Sequence, residues 1–160
     1  VGLGDWPNLH VEKLLDEWLV PVCSPDLLKK HGPVHDMNDL KRYRLLHSTT
    51  EPWTGWMLGG LDDEDERSAV TGLRFDDSVA VVRSAANGLG LALARWSLVS
   101  SEIAAGTLVQ ASPTPVKFRR SYWFVCPPRS LQRDTVAQFR EWLFAEAREF
   151  CDPPGVGQAG

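Results

Sequence analysis

The residues best placed to do chemistry are small hydroxyls standing where apolar runs give way to helix-like segments. Ser24 follows "PVC", Ser48 and Thr49 follow "LLH", and Ser78 follows "RFDD". At a strand end that opens a helix, a hydroxyl either caps the helix or contacts a ligand. The unpaired N–H groups and the positive dipole end favour anionic and carbonyl groups there. For each residue alone the cap is the simpler reading. In an open α/β sheet, ligands sit outside the carboxyl ends of the strands, so three hydroxyls in register would make a binding rim.

Other chemistries find little footing. His31 and His35 have the i,i+4 spacing of helical metal ligands, but Gly32 and Pro33 between them break a helix. No CxxC or HExxH occurs, so no metal is expected. Neither "GLGD" nor "NGLGLALA" fits a dinucleotide or phosphate loop, and no GxSxG is present, so no cofactor and no catalytic residue is expected. The acidic run Asp62–Glu66 reads as a solvated loop rather than a cation site. Trp53 and Trp56 are core residues or the wall of a pocket, and Arg119 and Arg120 are surface cations or an anion contact.

The elements that must hold these residues follow from periodicity. Strands are predicted at Trp18–Ser24, Arg44–Thr49, Ala69–Phe75, Leu91–Arg95, Thr107–Ala111 and Ser121–Pro127. Helices are predicted after Ser24, over Met37–Tyr43, over Glu51–Leu61, after Asp76–Ser78, over Ser97–Gly106 and over Arg133–Phe150. The helix after Ser78 carries its apolar stripe at Val79, Val82, Ala86 and Leu89, and Gly88 and Gly90 stop it. "PTPVKF" breaks regularity, and residues 151–160 read as a Pro/Gly-rich, frayed tail. Alternating strands and helices predict an α/β fold with mostly parallel pairing.

Length and composition agree with a folded module. The chain has 160 residues, 43% hydrophobic and 24% charged, which suits one domain or two small lobes. A net charge of −4 argues against a nucleic-acid-binding face. Three irregularly spaced cysteines suggest reduced thiols and a cytoplasmic location. No apolar run approaches the roughly 20 residues that span a bilayer, so no membrane partner is expected. The start "VGLGDW" lacks an initiating Met, and the chain reads as a piece of something longer.

Six collinear segments carry a family resemblance: "GDWPNL…DEWLVPVCSPDLL", "LLHS…W..W", "GLRFDDSVAVVRSAANGLGLALAR", "LVSSEIAAGTLV", "SYWFVCP" and "FREWLFAEA". Together they resemble the effector-binding region of LysR-type transcriptional regulators, nearest the branch of the glycine-cleavage and β-lactamase-inducing activators. The resemblance implies a periplasmic-binding-protein type II-like fold with two lobes joined by two crossover strands, at Val20–Ser24 and Tyr122–Cys126. It implies a small-molecule effector in the cleft between lobes, a homo-oligomer (dimer or higher), and DNA contact only through an N-terminal winged helix-turn-helix missing from this chain.

On that alignment the first lobe is incomplete. Residues 1–24 form its remnant and a crossover strand, 25–121 the second lobe, 122–150 the return strand and C-terminal helix, and 151–160 a flexible tail. The apolar stripe Val136, Phe139, Leu143, Ala147 and Phe150 then lacks part of its cover, which favours self-association. The resemblance assigns effector contacts to Phe75, Asp76 and Ser78, to Ser48 and Thr49, to Tyr122, and to Asp5 and Trp6. The resulting expectation is an effector-sensing, non-enzymatic fragment of a transcription regulator. The alternatives are a module serving mainly in oligomerisation and a small enzyme of the same α/β type.

Overall fold

Residues 1–57 and 72–156 are described by a computed structural model of the chain. Their contacts divide into two units. One comprises Val1–Glu17 and Phe118–Asp152, the other Trp18–Lys117 with the residues from Pro153 onward. The sequence reading placed the divides after Ser24 and Ser121 instead. The acidic run Asp62–Glu66 and the beginning of the predicted Ala69–Phe75 strand lie outside the described residues.

The larger unit is built on a mixed sheet. Its strands are β2 (Trp18–Cys23), β3 (Leu45–Ser48), β4 (Gly72–Phe75), β5 (Leu91–Arg95), β6 (Val109–Gln110) and β7 (Val116–Lys117), following β1 (His10–Leu15) of the smaller unit. The order is β4-β3-β5-β2-β6, with β7 also on β2. Strands β3, β4 and β5 run parallel, but β2 runs antiparallel to β5, β6 and β7. The expectation of mostly parallel pairing is therefore corrected. It treated "WLVPVC" as one more strand of a repeating strand–helix unit, whereas this strand crosses the sheet in the opposite sense.

Strand β2 has an unusual far edge. Strand β7 covers Trp18 and Leu19, β6 covers Val22 and Cys23, and Pro21 falls between. The Pro21 carbonyl accepts from the Ala111 N–H at 2.8 Å. A residue's N and O point to the same side of a strand, so the Pro21 nitrogen also faces away from β5. A missing N–H there interrupts no ladder bond. The two-residue β7 falls in "PTPVKF", which the sequence reading treated as irregular.

Helices cover this sheet. They are α1 (Pro25–His31), α2 (Met37–Leu40), α3 (Trp53–Met57), α4 (Ser78–Ala86) and α5 (Trp96–Ala104). Ser24 caps α1, and Gly32, at φ 79°, ends it. Asp36 caps α2, which stops at Leu40 rather than Tyr43. Helix α4 buries Val81, Val82 and Ala85, while Val79 is 46% exposed and Leu89 43% exposed. The predicted stripe was out of phase. Asp77 fixes the first turn by accepting from the N–H groups of Val79 and Ala80, both at 3.1 Å. The helix then turns its 81–82–85 face onto β2, β3 and β5. Gly90 permits a close start to β5: the Leu91 N–H donates to the Arg44 carbonyl at 2.9 Å, and an added Cβ on Gly90 would collide with that oxygen.

The core holds Leu19, Val20 and Val22 from β2, Leu46 from β3, Leu91 and Leu93 from β5, and Val99 from α5. Each such side chain contributes about 1.5–3 kcal/mol by leaving water. Trp53 and Trp56 also belong to this core. Their indole N–H groups donate to the carbonyls of Leu46 (3.1 Å) and Thr114 (3.3 Å). In the segment read as a frayed tail, Pro153 is buried and Gly155 lies against Pro113 and Pro115, while Cys151, Asp152 and Pro154 are exposed.

The smaller unit pairs β1 antiparallel with β8 (Tyr122–Cys126), with an irregularity between Lys13 and Leu15. A reciprocal bridge between Gly2 and Ser121, both bonds 3.0 Å, continues the pairing. A 3-10 turn at Pro128–Gln132 leads into α6 (Asp134–Glu149). Arg140 of α6 grips the Glu12 carboxylate with its Nε and with Nη2, the latter at 2.7 Å. Phe144 meets Phe124 edge-on at 6.4 Å. No residue of α6 is fully buried. Of the predicted stripe, Phe139 is 51% exposed while Val136, Leu143, Ala147 and Phe150 are half-buried. Among the described residues no helix is long and apolar enough to cross a membrane.

Candidate functional site

Parallel β3, β4 and β5 deliver their carboxyl ends to one edge of the larger unit. Ser48 closes β3, Phe75 closes β4 and Arg95 closes β5. The Thr49 N–H donates to the Phe75 carbonyl at 3.2 Å, which ties the first two ends together. Helix α4 begins three residues after Phe75, at Ser78, with Asp77 as its cap.

A carboxylate gathers these ends. Glu51 is 2% exposed. Its Oε2 accepts from the hydroxyls of Ser48, Thr50 and Ser78, each at 2.7 Å. Its Oε1 lies 2.9 Å from Nε of Arg95, whose side chain is 19% exposed. The Ser48 oxygen in turn accepts from the backbone N–H groups of Thr50 (3.1 Å) and Glu51 (3.4 Å). Such charge-assisted bonds are roughly twice as strong as neutral ones. They hold the segment after β3 against the front of α4.

The sequence-assigned residues fall as follows. Ser48 and Ser78 meet through Glu51 and through Thr50, whose hydroxyl lies 2.9 Å from each of them. Thr49 is exposed and contributes its backbone, while its neighbour Thr50 supplies the hydroxyl. Phe75 is half-buried and Asp76 exposed beside them. Ser24 does not join. Its hydroxyl accepts from the Leu27 N–H at 3.4 Å, and it borders a hollow with Lys30 and with Ala86–Gly88, at the far end of α4. The expected register of three hydroxyls fails because β2 is antiparallel to β5, so its carboxyl end emerges at the opposite edge.

Tyr122, Asp5 and Trp6 belong to the smaller unit. Tyr122 is half-buried at the start of β8, Asp5 is exposed, and Trp6 packs edge-on against Trp123 at 6.4 Å. The sequence reading missed Thr50, Glu51 and Arg95. A signal existed: "HSTTEP" places an acid three residues after Ser48, and a lone cation closes the otherwise apolar "LALAR".

The cluster presents polar groups at this edge of the sheet. Among the described residues, no group of three or more His, Cys, Asp or Glu side chains could hold a metal ion. Of the thiols, Cys23 is buried, and that burial pushes it up to about 11, which keeps it protonated and unreactive near neutral pH.

Comparison with known proteins gives one consistent picture. The family described as LysR substrate binding domain matches residues 1–148. The glycine cleavage system transcriptional activator of Escherichia coli K12 is 35% identical over 148 residues, covering 91% of this chain and 48% of that protein. The transcriptional activator AmpR of Rhodobacter capsulatus is 30% identical, covering 92% of this chain and 49% of that protein. The chain thus spans about half the length of these relatives. Among solved structures, the effector domain of AmpR from Pseudomonas aeruginosa superposes with a TM-score of 0.71 at 26% identity, covering 92% of this chain and 69% of that one.

Proposed function

We propose, because the chain belongs to the LysR substrate binding domain family, that it is the effector-sensing part of a bacterial transcription regulator and acts in the cytoplasm. On this reading a small metabolite binds at the edge where β3, β4 and α4 meet. Thr50 and Ser78 are its polar contacts, held in place by Ser48, and Phe75 and Asp76 flank it. The chain performs no chemistry on the ligand. Binding biases one arrangement of the regulator over another, and DNA is met by a winged helix-turn-helix head elsewhere in the regulator. The observation that carries the reading is the convergence of two hydroxyl-bearing strand and helix ends, Ser48 and Ser78, at one edge of the parallel part of the sheet.

Thermal-shift screening of the chain against amino acids, peptide–sugars and aromatic acids tests it. A ligand specific for the folded state at 100 times its Kd adds about 2.7 kcal/mol. The expected result is at least one stabilising compound whose effect falls in Ser78→Ala and Thr50→Val. A panel with no stabilising compound, or hits indifferent to both substitutions, would overturn the assignment.

A second reading, assembly into homo-oligomers, is favoured by Phe139 and Trp142, exposed side by side on α6 with ring centroids 5.7 Å apart. Light scattering checks it. A concentration-dependent dimer that reverts to monomer in Phe139→Ser/Trp142→Ser supports it, and a monomer at every concentration rejects it.

A further inference from the structure

The hydroxyl cluster has a polarity that follows from counting protons. Ser48, Thr50 and Ser78 each carry one hydroxyl hydrogen. The Glu51 carboxylate, the strongest acceptor within reach, stands 2.7 Å from all three oxygens. The three hydrogens are therefore directed inward, onto Oε2. Arg95 also borders the cluster, with its Nε at an ion-pair distance of 2.9 Å from Oε1. The Ser48 oxygen already accepts from the backbone N–H groups of Thr50 and Glu51, so what remains for a ligand is oxygen lone pairs on Thr50 and Ser78, backed by a carboxylate charge that is itself 2% exposed. A ligand carboxylate or phosphate would meet acceptors where it needs donors and would sit beside a like charge. An ammonium or other N–H group would meet acceptors and an opposite charge.

We infer that Glu51 sets the specificity of this edge, so that Thr50 and Ser78 receive a hydrogen-bond-donating, cationic nitrogen of the effector and reject its anionic groups. The inference rests on the assignment of this edge as the effector site. Glu51 occupies the place an anionic ligand group would take, with the same partners such a group would use: hydroxyl donors and a guanidinium. Substitution by Gln removes the charge, releases Arg95 from its counter-ion and leaves fewer hydroxyl hydrogens committed. The preference should then invert.

Amide-resolved NMR of the full chain tests this with methylammonium chloride, sodium acetate and inorganic phosphate as probes, at constant ionic strength. In the wild type, methylammonium should produce saturable shifts at the amides of Thr49, Thr50, Val79 and Ala80, and acetate and phosphate none. In Glu51→Gln, methylammonium binding should weaken by about tenfold or more, equivalent to about 1.4 kcal/mol, and acetate should gain saturable shifts at the same amides. Ser78→Ala, which retains the carboxylate, guards against a Glu51→Gln chain that fails to fold and should also weaken methylammonium. Saturable acetate or phosphate binding at these amides in the wild type would overturn the polarity while leaving the site in place. Methylammonium binding there that is unchanged in both variants would overturn the role of Glu51. Silence of these amides to all three probes would overturn the site assignment and the inference with it.

Discussion

Each unit contains a carboxylate–arginine pair joining distant parts of the chain, and the two are built differently. Glu51 and Arg95 in the larger unit are 2% and 19% exposed, and three hydroxyls share the load on the carboxylate. Glu12 and Arg140 in the smaller unit are 27% and 33% exposed and meet as a two-point fork that water also reaches. Removing a carboxylate from water costs several kcal/mol, and one guanidinium returns this only with added hydrogen bonds. A half-exposed fork carries no such debt. The difference teaches that the first pair depends on the hydroxyls around it, while the second, a solvent-reached fork between β1 and α6, depends on its partner alone.

Breaking the buried pair should have the largest effect. Glu51→Ala leaves Arg95 and the hydroxyls of Ser48, Thr50 and Ser78 without their common acceptor. A loss of about 3–5 kcal/mol in urea unfolding is expected, and a loss under about 1 kcal/mol would erase the contrast. Ser78→Ala removes one of several donors to the same oxygen and should cost about 1 kcal/mol by the same measurement.

The exposed fork sharpens the comparison through pH. The hydrogen bond from Arg140 holds the Glu12 carboxyl below its ordinary 4.5. A lowered native value stabilises the fold above the unfolded-state value, and that contribution is lost as pH falls through the native one. The stability gap between wild type and Glu12→Gln should therefore be small and constant near neutral pH and close below pH 4.5, as followed by thermal unfolding across a pH series. A gap that widened in acid would contradict the pairing. The smallest effect concerns reactivity alone. Iodoacetamide at mildly alkaline pH should label exposed Cys151 first and spare buried Cys23, which mass spectrometry of the tryptic peptides resolves.

Much of this was legible in the residues. Local rules located most strands and helices, narrowed the α4 cap to Asp76–Ser78 and found the Ser24 cap and the glycine stops, because these depend on neighbours a few positions away. Ser48 and Ser78 were found for the same reason, as hydroxyls at element junctions. What escaped depends on direction and depth. The sense in which β2 crosses the sheet has no local signature, and it alone decided that Ser24 lies apart. The phase of α4 was misjudged because Val79, Val82, Ala86 and Leu89 have helical spacing, yet the face that packs is set by three strands. Glu51 was passed over because, at the start of the predicted Glu51–Leu61 helix, nothing local marks it as buried. Its burial arises from Arg95 and Ser78, dozens of residues away.

Pro21 acts on the sheet as a key acts in a lock. Its ring tolerates the present alignment because its nitrogen faces the gap between β6 and β7. A slip of β2 by one residue would swing that nitrogen toward β5, where a ladder hydrogen bond needs an N–H. Misaligned sheets are thereby penalised at one position, and the Leu19–Arg95 match is held in place. A single imino acid, outside the polar cluster, thus helps to determine where the guanidinium facing Glu51 emerges.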